Sequence, residues 1–133
     1  MSQNILFVCV ENAGRSQMAE AFFRKFTPKD IHVSSAGTTP SSHLNPIVIQ
    51  VMKEIGIDMV NQQPKILSNS MIENSSKTVN MGCMDKESCP LLFVKDVLNW
   101  NIPDPKEKPL NEVREIRDKI KSEVLNLIKT IEV

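Results

Sequence analysis

The chain has 133 residues, its 16 basic side chains balance 16 acidic ones, and 41% of its residues are hydrophobic. These values are typical of one globular domain, and the lack of net charge argues against nucleic acid or an anionic membrane as a partner. The N-terminal apolar stretch, residues 5–10, is too short for a signal peptide core or a membrane helix, so we expect a cytoplasmic protein.

Strand-like and helix-like patterns alternate along the chain. Apolar runs predict strands over residues 5–9, 31–35, 77–81 and 93–98. Helical spacing predicts helices over residues 15–26, from Pro46 to about Gly56, around Met71 and over 111–131. The apolar stripe of the first helix comprises Met18, Ala19, Phe22 and Phe26. The alternation predicts an α/β fold, an open parallel sheet flanked by helices, with ligands bound at the carboxyl ends of the strands.

The segment between the first strand and the first helix has the composition of an oxyanion-binding loop. Its residues are Cys9, Val10, Glu11, Asn12, Ala13, Gly14, Arg15 and Ser16. A loop that wraps into a helix start points successive backbone N–H groups inward, and with the helix dipole these suit a tetrahedral oxyanion. Asn12 tolerates a left-handed turn, Gly14 allows close approach, and the Arg15 fork can bind two oxygens.

The same donors favour the thiolate form of Cys9, which is the nucleophilic form. The Ser16 hydroxyl adds a donor, whereas the Glu11 carboxylate opposes the thiolate unless it points away or binds a cation. The alternative is a buried Cys9 at a strand end and a surface Arg15, which an isolated cysteine and arginine would favour. The strand before the loop and the helix after it favour a reactive thiol.

Two further cysteines, Cys83 and Cys89, lie in a polar segment with five residues between them. Structural zinc sites pair cysteines two to four residues apart and need four ligands, so we expect no metal here. Buried structural cysteines are one alternative, and the charged residues of the segment favour the other, a redox-active dithiol. A disulfide requires Cα atoms within about 7 Å, so a regular helix over this segment would have to unwind on oxidation.

These residues resemble those of the thioredoxin-coupled arsenate reductases, which share the fold of the low-molecular-weight tyrosine phosphatases. The resemblance covers nearly the whole chain, and the matching segments are residues 9–20, 34–38, 81–83, 89–90 and 103–105. It implies a single catalytic domain over residues 1–133 that converts arsenate to arsenite. It also implies a monomer without a bound cofactor.

The resemblance implies a role for each site residue. Cys9 would attack arsenate held by the loop and Arg15, and Asp104 would protonate the leaving oxygen. Cys83 would then attack Cys9 and release arsenite, and Cys89 would attack Cys83. Thioredoxin or a similar dithiol would reduce the resulting disulfide, and phosphate would compete for the loop.

Two features depart from the family pattern. The relay cysteines often have six intervening residues in relatives and have five here. Some relatives bind potassium with residues that match Asn12, Glu20 and Ser35 and with an acidic residue. Lys65 occupies the position of that acid, and its ammonium group could replace the cation.

The main alternative is a low-molecular-weight tyrosine phosphatase that hydrolyses phosphomonoesters through a Cys9 phosphoenzyme. Phosphatases of this group usually carry tyrosines beside the acid loop. Here Lys106, Glu107 and Lys108 follow Pro105, and the sequence contains no tyrosine. A second alternative, a non-enzymatic oxyanion or redox sensor, has no recognition module in the sequence to support it.

Overall fold

The computed structural model describes residues 3–27, 31–82 and 97–131. Its strands are β1 (Gln3–Cys9), β2 (Ile31–Gly37), β3 (Lys77–Asn80) and β4 (Leu98–Asn99). Its helices are α1 (Arg15–Phe26), α2 (Pro46–Lys53), α3 (Asn69–Glu73) and α4 (Leu110–Ile131). The four strands form one sheet in the order β2-β1-β3-β4, and every pair is parallel. The predicted α/β fold class is therefore confirmed.

The register of the sheet brings the ends of the strands to one edge. Cys9 pairs with Gly37 at the end of β2, and Val8 pairs with Asn80 at the end of β3. Because β1 lies between these two strands, the loop that follows Cys9 emerges from the middle of the carboxyl edge. This is the edge at which parallel sheets bind ligands.

The sheet is covered on both faces, as the continuous apolar run of β1 predicts. On one face, Phe7 and Cys9 join the large core cluster formed with α1, α2 and α4. On the other face, Leu6 and Val8 join a smaller cluster that includes Ile72 of α3. Within the described ranges, no helix combines the length and apolar character that a membrane span requires.

Two details differ from the predictions. Strand β4 is described at Leu98–Asn99 rather than over 93–98, and residues 93–96 of that prediction lie outside the described residues. Phe26 is 38% exposed, whereas Phe23 is fully buried. Phe26 is the last residue of α1. Its ring stacks on Phe22 and lies under Lys121 instead of entering the core.

Candidate active site

The loop between β1 and α1 turns its amide groups toward the Cys9 thiol. The carbonyl groups of Val10, Glu11 and Ala13 accept hydrogen bonds from the backbone of the 39–45 segment, at 2.9, 2.9 and 3.0 Å. In a trans peptide the N–H points opposite to the C=O, so the amides that follow these carbonyls face the inner side of the loop. Asn12 makes the required turn with a φ of 52°, as its sequence position predicts.

The Cys9 sulfur lies on the floor of this loop, where it is only 2% exposed. It is 2.8 Å from Ser16 Oγ and accepts a hydrogen bond from the Asn12 backbone N–H at 3.3 Å. Ser16 and the Asn12 amide thus supply two hydrogen-bond partners to a sulfur that also borders the buried core.

The direction of the Ser16 hydroxyl follows from the Asn12 amide. Asn12 Oδ1 accepts hydrogen bonds from Gln17 Nε2 at 2.9 Å and from the Lys65 backbone N–H at 2.8 Å. The other end of the amide, Nδ2, therefore donates to Ser16 Oγ, at 2.7 Å. Because Ser16 Oγ accepts that bond, its own proton is free to point at the Cys9 sulfur.

The Arg15 guanidinium forms the opposite wall and is anchored from behind. Its Nη1 donates to the carbonyl groups of Met81 at 2.8 Å and Ile102 at 3.2 Å. Gly82 packs against its face so closely that a Cβ there would lie 2.3 Å from Nη1. The side chain is 11% exposed, and the anchoring leaves its Nη2 edge for an oxyanion.

Asp104 lies at the mouth of the site. Its Oδ2 is 3.8 Å from Arg15 Nη2, and its side chain is 57% exposed. Its Oδ1 accepts a hydrogen bond from the Lys106 backbone N–H at 3.0 Å, which closes a turn in the 103–109 loop. Asp104 thus lines the same cleft as Cys9 and Arg15.

The site opens into a cleft of about 270 Å³ between the oxyanion loop and the 103–109 loop. Across its mouth, Lys106 Nζ lies 2.9 Å from Glu11 Oε1. This hydrogen bond, together with the attraction of the carboxylate, raises the pKa of Lys106 above its usual value. Glu11 thus has a partner cation, the condition under which its charge does not oppose a Cys9 thiolate.

The sequence profile of the low molecular weight phosphotyrosine protein phosphatase family matches residues 4–133. The chain belongs to this family. It is 38% identical over 127 residues to an arsenate reductase of Staphylococcus aureus strain Newman, covering 93% of this chain and 95% of that protein. These likenesses show that it is an enzyme of the phosphatase family with arsenate reductases among its relatives.

Two solved structures extend the likeness. A thioredoxin-dependent arsenate reductase of Corynebacterium glutamicum is 33% identical, with a TM-score of 0.82 over 98% of this chain. This chain spans 62% of the length of that protein. An arsenate reductase solved in a phosphate-binding state is 30% identical, with a TM-score of 0.85 over 97% of this chain and 98% of that one.

The predicted catalytic set of this phosphatase-family enzyme is only partly within the described residues. The structure brings Cys9, Arg15 and Asp104 to one cleft. Cys83 and Cys89 lie outside the described residues, so their relay stays a prediction. Gly82, the residue that precedes Cys83 in the sequence, is described beside the Arg15 guanidinium.

Glu20 and Ser35, which the resemblance relates to a potassium site, lie beside a lysine ammonium group. Glu20 is a buried carboxylate that accepts a hydrogen bond from Ser35 Oγ at 2.7 Å. Lys65 Nζ lies 3.7 Å from the same Glu20 oxygen, and Arg24 Nη2 lies 3.0 Å from the other. Two cationic side chains thus lie near the Glu20 carboxylate. The replacement of a potassium ion by the Lys65 ammonium stays a prediction.

Sequence reasoning missed two supports of the site. Gln17 is fully buried and joins Asn12 to Gln62, whose Nε2 donates to Gln17 Oε1 at 2.6 Å. The available signal was the position of this glutamine, directly after the loop serine and directly before the apolar stripe of α1. Lys106 is the second missed support, because no local sequence pattern indicates a partner 95 positions away.

Proposed function

We propose that this chain is an arsenate reductase that works by a three-cysteine thiol–disulfide relay. The observation that carries the proposal is the Cys9 sulfur, held by Ser16 and the Asn12 amide at the floor of an oxyanion loop. Two additional cysteines and the similarity to arsenate reductases favour reduction over hydrolysis as the outcome.

Capture of the oxyanion uses the described residues. Arsenate would sit among the inward amides of residues 10–16, with its negative charge facing Arg15 Nη2. The Cys9 thiolate attacks arsenic and forms a sulfur–arsenic bond, while an oxygen leaves as water with a proton from Asp104. Arsenic is still in its pentavalent state after this step.

Reduction then requires the second and third thiols. Cys83 attacks the Cys9 sulfur, the sulfur–arsenic bond breaks with its electron pair moving to arsenic, and trivalent arsenite leaves. The two thiols have then lost two electrons to arsenic and form a Cys9–Cys83 disulfide. Cys89 attacks Cys83 and frees Cys9, so the oxidation moves to a Cys83–Cys89 disulfide.

The enzyme would need no bound cofactor in this scheme, because an external dithiol supplies the two electrons. We assign that role to thioredoxin, supported by the thioredoxin-dependent relative from Corynebacterium glutamicum. Phosphate would occupy the same loop as a competitor, which agrees with the arsenate reductase solved in a phosphate-binding state.

A low molecular weight phosphatase activity is the second candidate. It is favoured by the family match and by the arrangement of Cys9, Arg15 and Asp104, which suits a cysteinyl phosphate intermediate equally well. It is disfavoured by the polar cleft wall at Lys106 and Glu107 and by the absence of tyrosine from the sequence, because the described residues that line the cleft offer an aryl ester no ring to pack on.

Arsenate-dependent oxidation of NADPH, coupled through thioredoxin and its reductase, tests the proposal. We expect turnover by the wild type and none by Cys9→Ser, Cys83→Ser or Cys89→Ser. Cys83→Ser should stop without arsenite, whereas Cys89→Ser should release one arsenite per chain and retain a Cys9–Cys83 disulfide visible in peptide mass spectra. Sustained turnover by either variant would refute the relay. Hydrolysis of phenyl phosphate without arsenate reduction would favour the phosphatase.

A further inference from the structure

Besides the ion pair between Arg15 and Asp104, a second side-chain bridge joins the two walls of the active-site cleft. Lys106 Nζ of the 103–109 loop lies 2.9 Å from Glu11 Oε1 of the oxyanion loop. The same loops also touch through Pro105, whose ring packs on Gly14 so closely that a Cβ there would lie 2.9 Å from Pro105 Cγ. The ring contact sets the spacing at the base of the cleft, and the ion pair crosses its mouth.

The loop that carries Lys106 is a tight turn with few other side-chain contacts. The Lys106 backbone N–H donates to Asp104 Oδ1 at 3.0 Å, and the Lys108 backbone N–H donates to the Pro105 carbonyl at 3.2 Å. Glu107 completes the turn with a φ of 61°.

The mouth is where a substituent on the oxyanion would leave the site. An oxyanion bound at Cys9 would lie in a cleft lined by Glu11 on one wall and by Lys106 and Glu107 on the other. Among the described residues that line this cleft, none carries an aromatic ring. An organic group that left the cleft between these two walls would have to displace the ion pair without gaining a stacking partner from them.

We propose that Lys106, through its ion pair with Glu11, is a specificity-determining residue that restricts the site to free tetrahedral oxyanions and disfavours organic esters. The inference rests on the proposed function only in that the loop binds an oxyanion. An exposed ion pair is weak, so it disfavours the binding of an ester at the cleft mouth without blocking it completely.

Binding of two non-hydrolysable dianions to the reduced enzyme tests this directly. Calorimetric titration gives the dissociation constants of orthophosphate and of phenylphosphonate, whose ring extends through the mouth. We expect the wild type to prefer orthophosphate, and Lys106→Ala to reduce that preference by about threefold through tighter phenylphosphonate binding. Lys106→Arg should restore the preference, and Lys108→Ala, which removes the same charge from the same loop, should leave it unchanged.

Salt provides a second readout that a purely structural role would not change. Both ligands carry the same charge, so general screening cancels in the ratio of their dissociation constants. Raising KCl from about 0.05 to about 1 M should lower the wild-type preference toward that of Lys106→Ala, because an exposed pair is screened. The ratio in Lys106→Ala should not respond to salt.

An unchanged ratio in Lys106→Ala, or a wild-type ratio that ignores salt, would overturn the proposal. The reductase assignment fails separately, because binding of these anions needs neither Cys83 nor a reductant. A chain that reduces no arsenate but shows the predicted ratios would retain the specificity role for Lys106.

Discussion

Replacement of Gly82 by alanine tests how the capture of the oxyanion depends on the anchoring of Arg15. Gly82 does not have a positive φ, so alanine is compatible with its backbone. The added Cβ, however, would lie 2.3 Å from Arg15 Nη1, 2.6 Å from Cζ and 2.7 Å from Nη2. The guanidinium must move, and it can do so only by releasing the carbonyl groups of Met81 and Ile102.

The cost follows from the bonds that are lost. A hydrogen bond from a charged donor contributes about 1.5–3 kcal/mol, and the Arg15 side chain is 11% exposed, so water replaces such bonds poorly. We expect Gly82→Ala to lower the free energy of unfolding by at least the contribution of one such bond, since two are released. The displaced fork should also weaken orthophosphate binding about tenfold or more, since 1.4 kcal/mol corresponds to a factor of ten.

Urea unfolding and orthophosphate calorimetry measure the two effects, and an Arg15→Ala background separates their cause. Without the guanidinium, the new methyl group meets no obstacle there, so Gly82→Ala should then change the unfolding free energy by no more than about 0.5 kcal/mol. An equal cost in both backgrounds would refute the reasoning, because it would place the strain in the backbone. A Gly82→Ala variant that binds phosphate as tightly as the wild type would also refute the reasoning.

Three further predictions concern other parts of the enzyme. Ser16→Ala should slow alkylation of Cys9 by iodoacetamide at neutral pH about tenfold, because the Cys9 thiolate loses a charge-assisted hydrogen bond. Peptide mass spectrometry measures the alkylation rate, and an unchanged pH–rate profile would contradict the prediction. The melting temperature should be equal in KCl and NaCl, because the Lys65 ammonium already neutralises Glu20, and Lys65→Asp should make it rise specifically in KCl. A hydrogen bond from Arg114 of α4 lowers the pKa of Glu54 below 4.5. The ionised carboxylate therefore stabilises the fold fully above pH 4.5, and this contribution is lost as the pH falls through the lowered pKa. Glu54→Gln should therefore be less stable than the wild type at about pH 7 in urea titrations, and the difference should shrink as the pH falls below 4.5.

The elements that the sequence predicts well are those whose patterns are local. The apolar run of β1, the polar turn at Asn12 and the stripe of α1 are each read within a dozen residues, and together they place Cys9 at the carboxyl edge of the sheet. The prediction for Phe26 was wrong, because helical spacing gives the face on which a residue lies but not whether neighbouring elements cover that part of the face.

The contacts that the sequence does not predict are those between distant segments. Arg15 was expected to bind an anion, but its anchoring by Met81 and Ile102 depends on where β3 and the following loop lie in space. The bridge from Glu11 to Lys106 likewise joins positions with no shared local pattern. Charge alone offers too many possible partners, since the chain contains 16 basic and 16 acidic side chains.

The loop by itself cannot explain a preference for arsenate. Arsenate and phosphate carry the same oxygens in the same geometry, and even a whole methylene group changes recognition by only about 1–3 kcal/mol. In the proposed relay, selection therefore comes after capture, at the step where Cys83 attacks the Cys9 sulfur. Arg15 would connect the two steps: its Nη2 lies 3.8 Å from Asp104 Oδ2 in the cleft, while its Nη1 donates to the Met81 carbonyl, two residues before Cys83. A Cβ at position 82 would lie 2.3 Å from that guanidinium, so the residue before Cys83 is constrained by the group that we propose to bind the oxyanion.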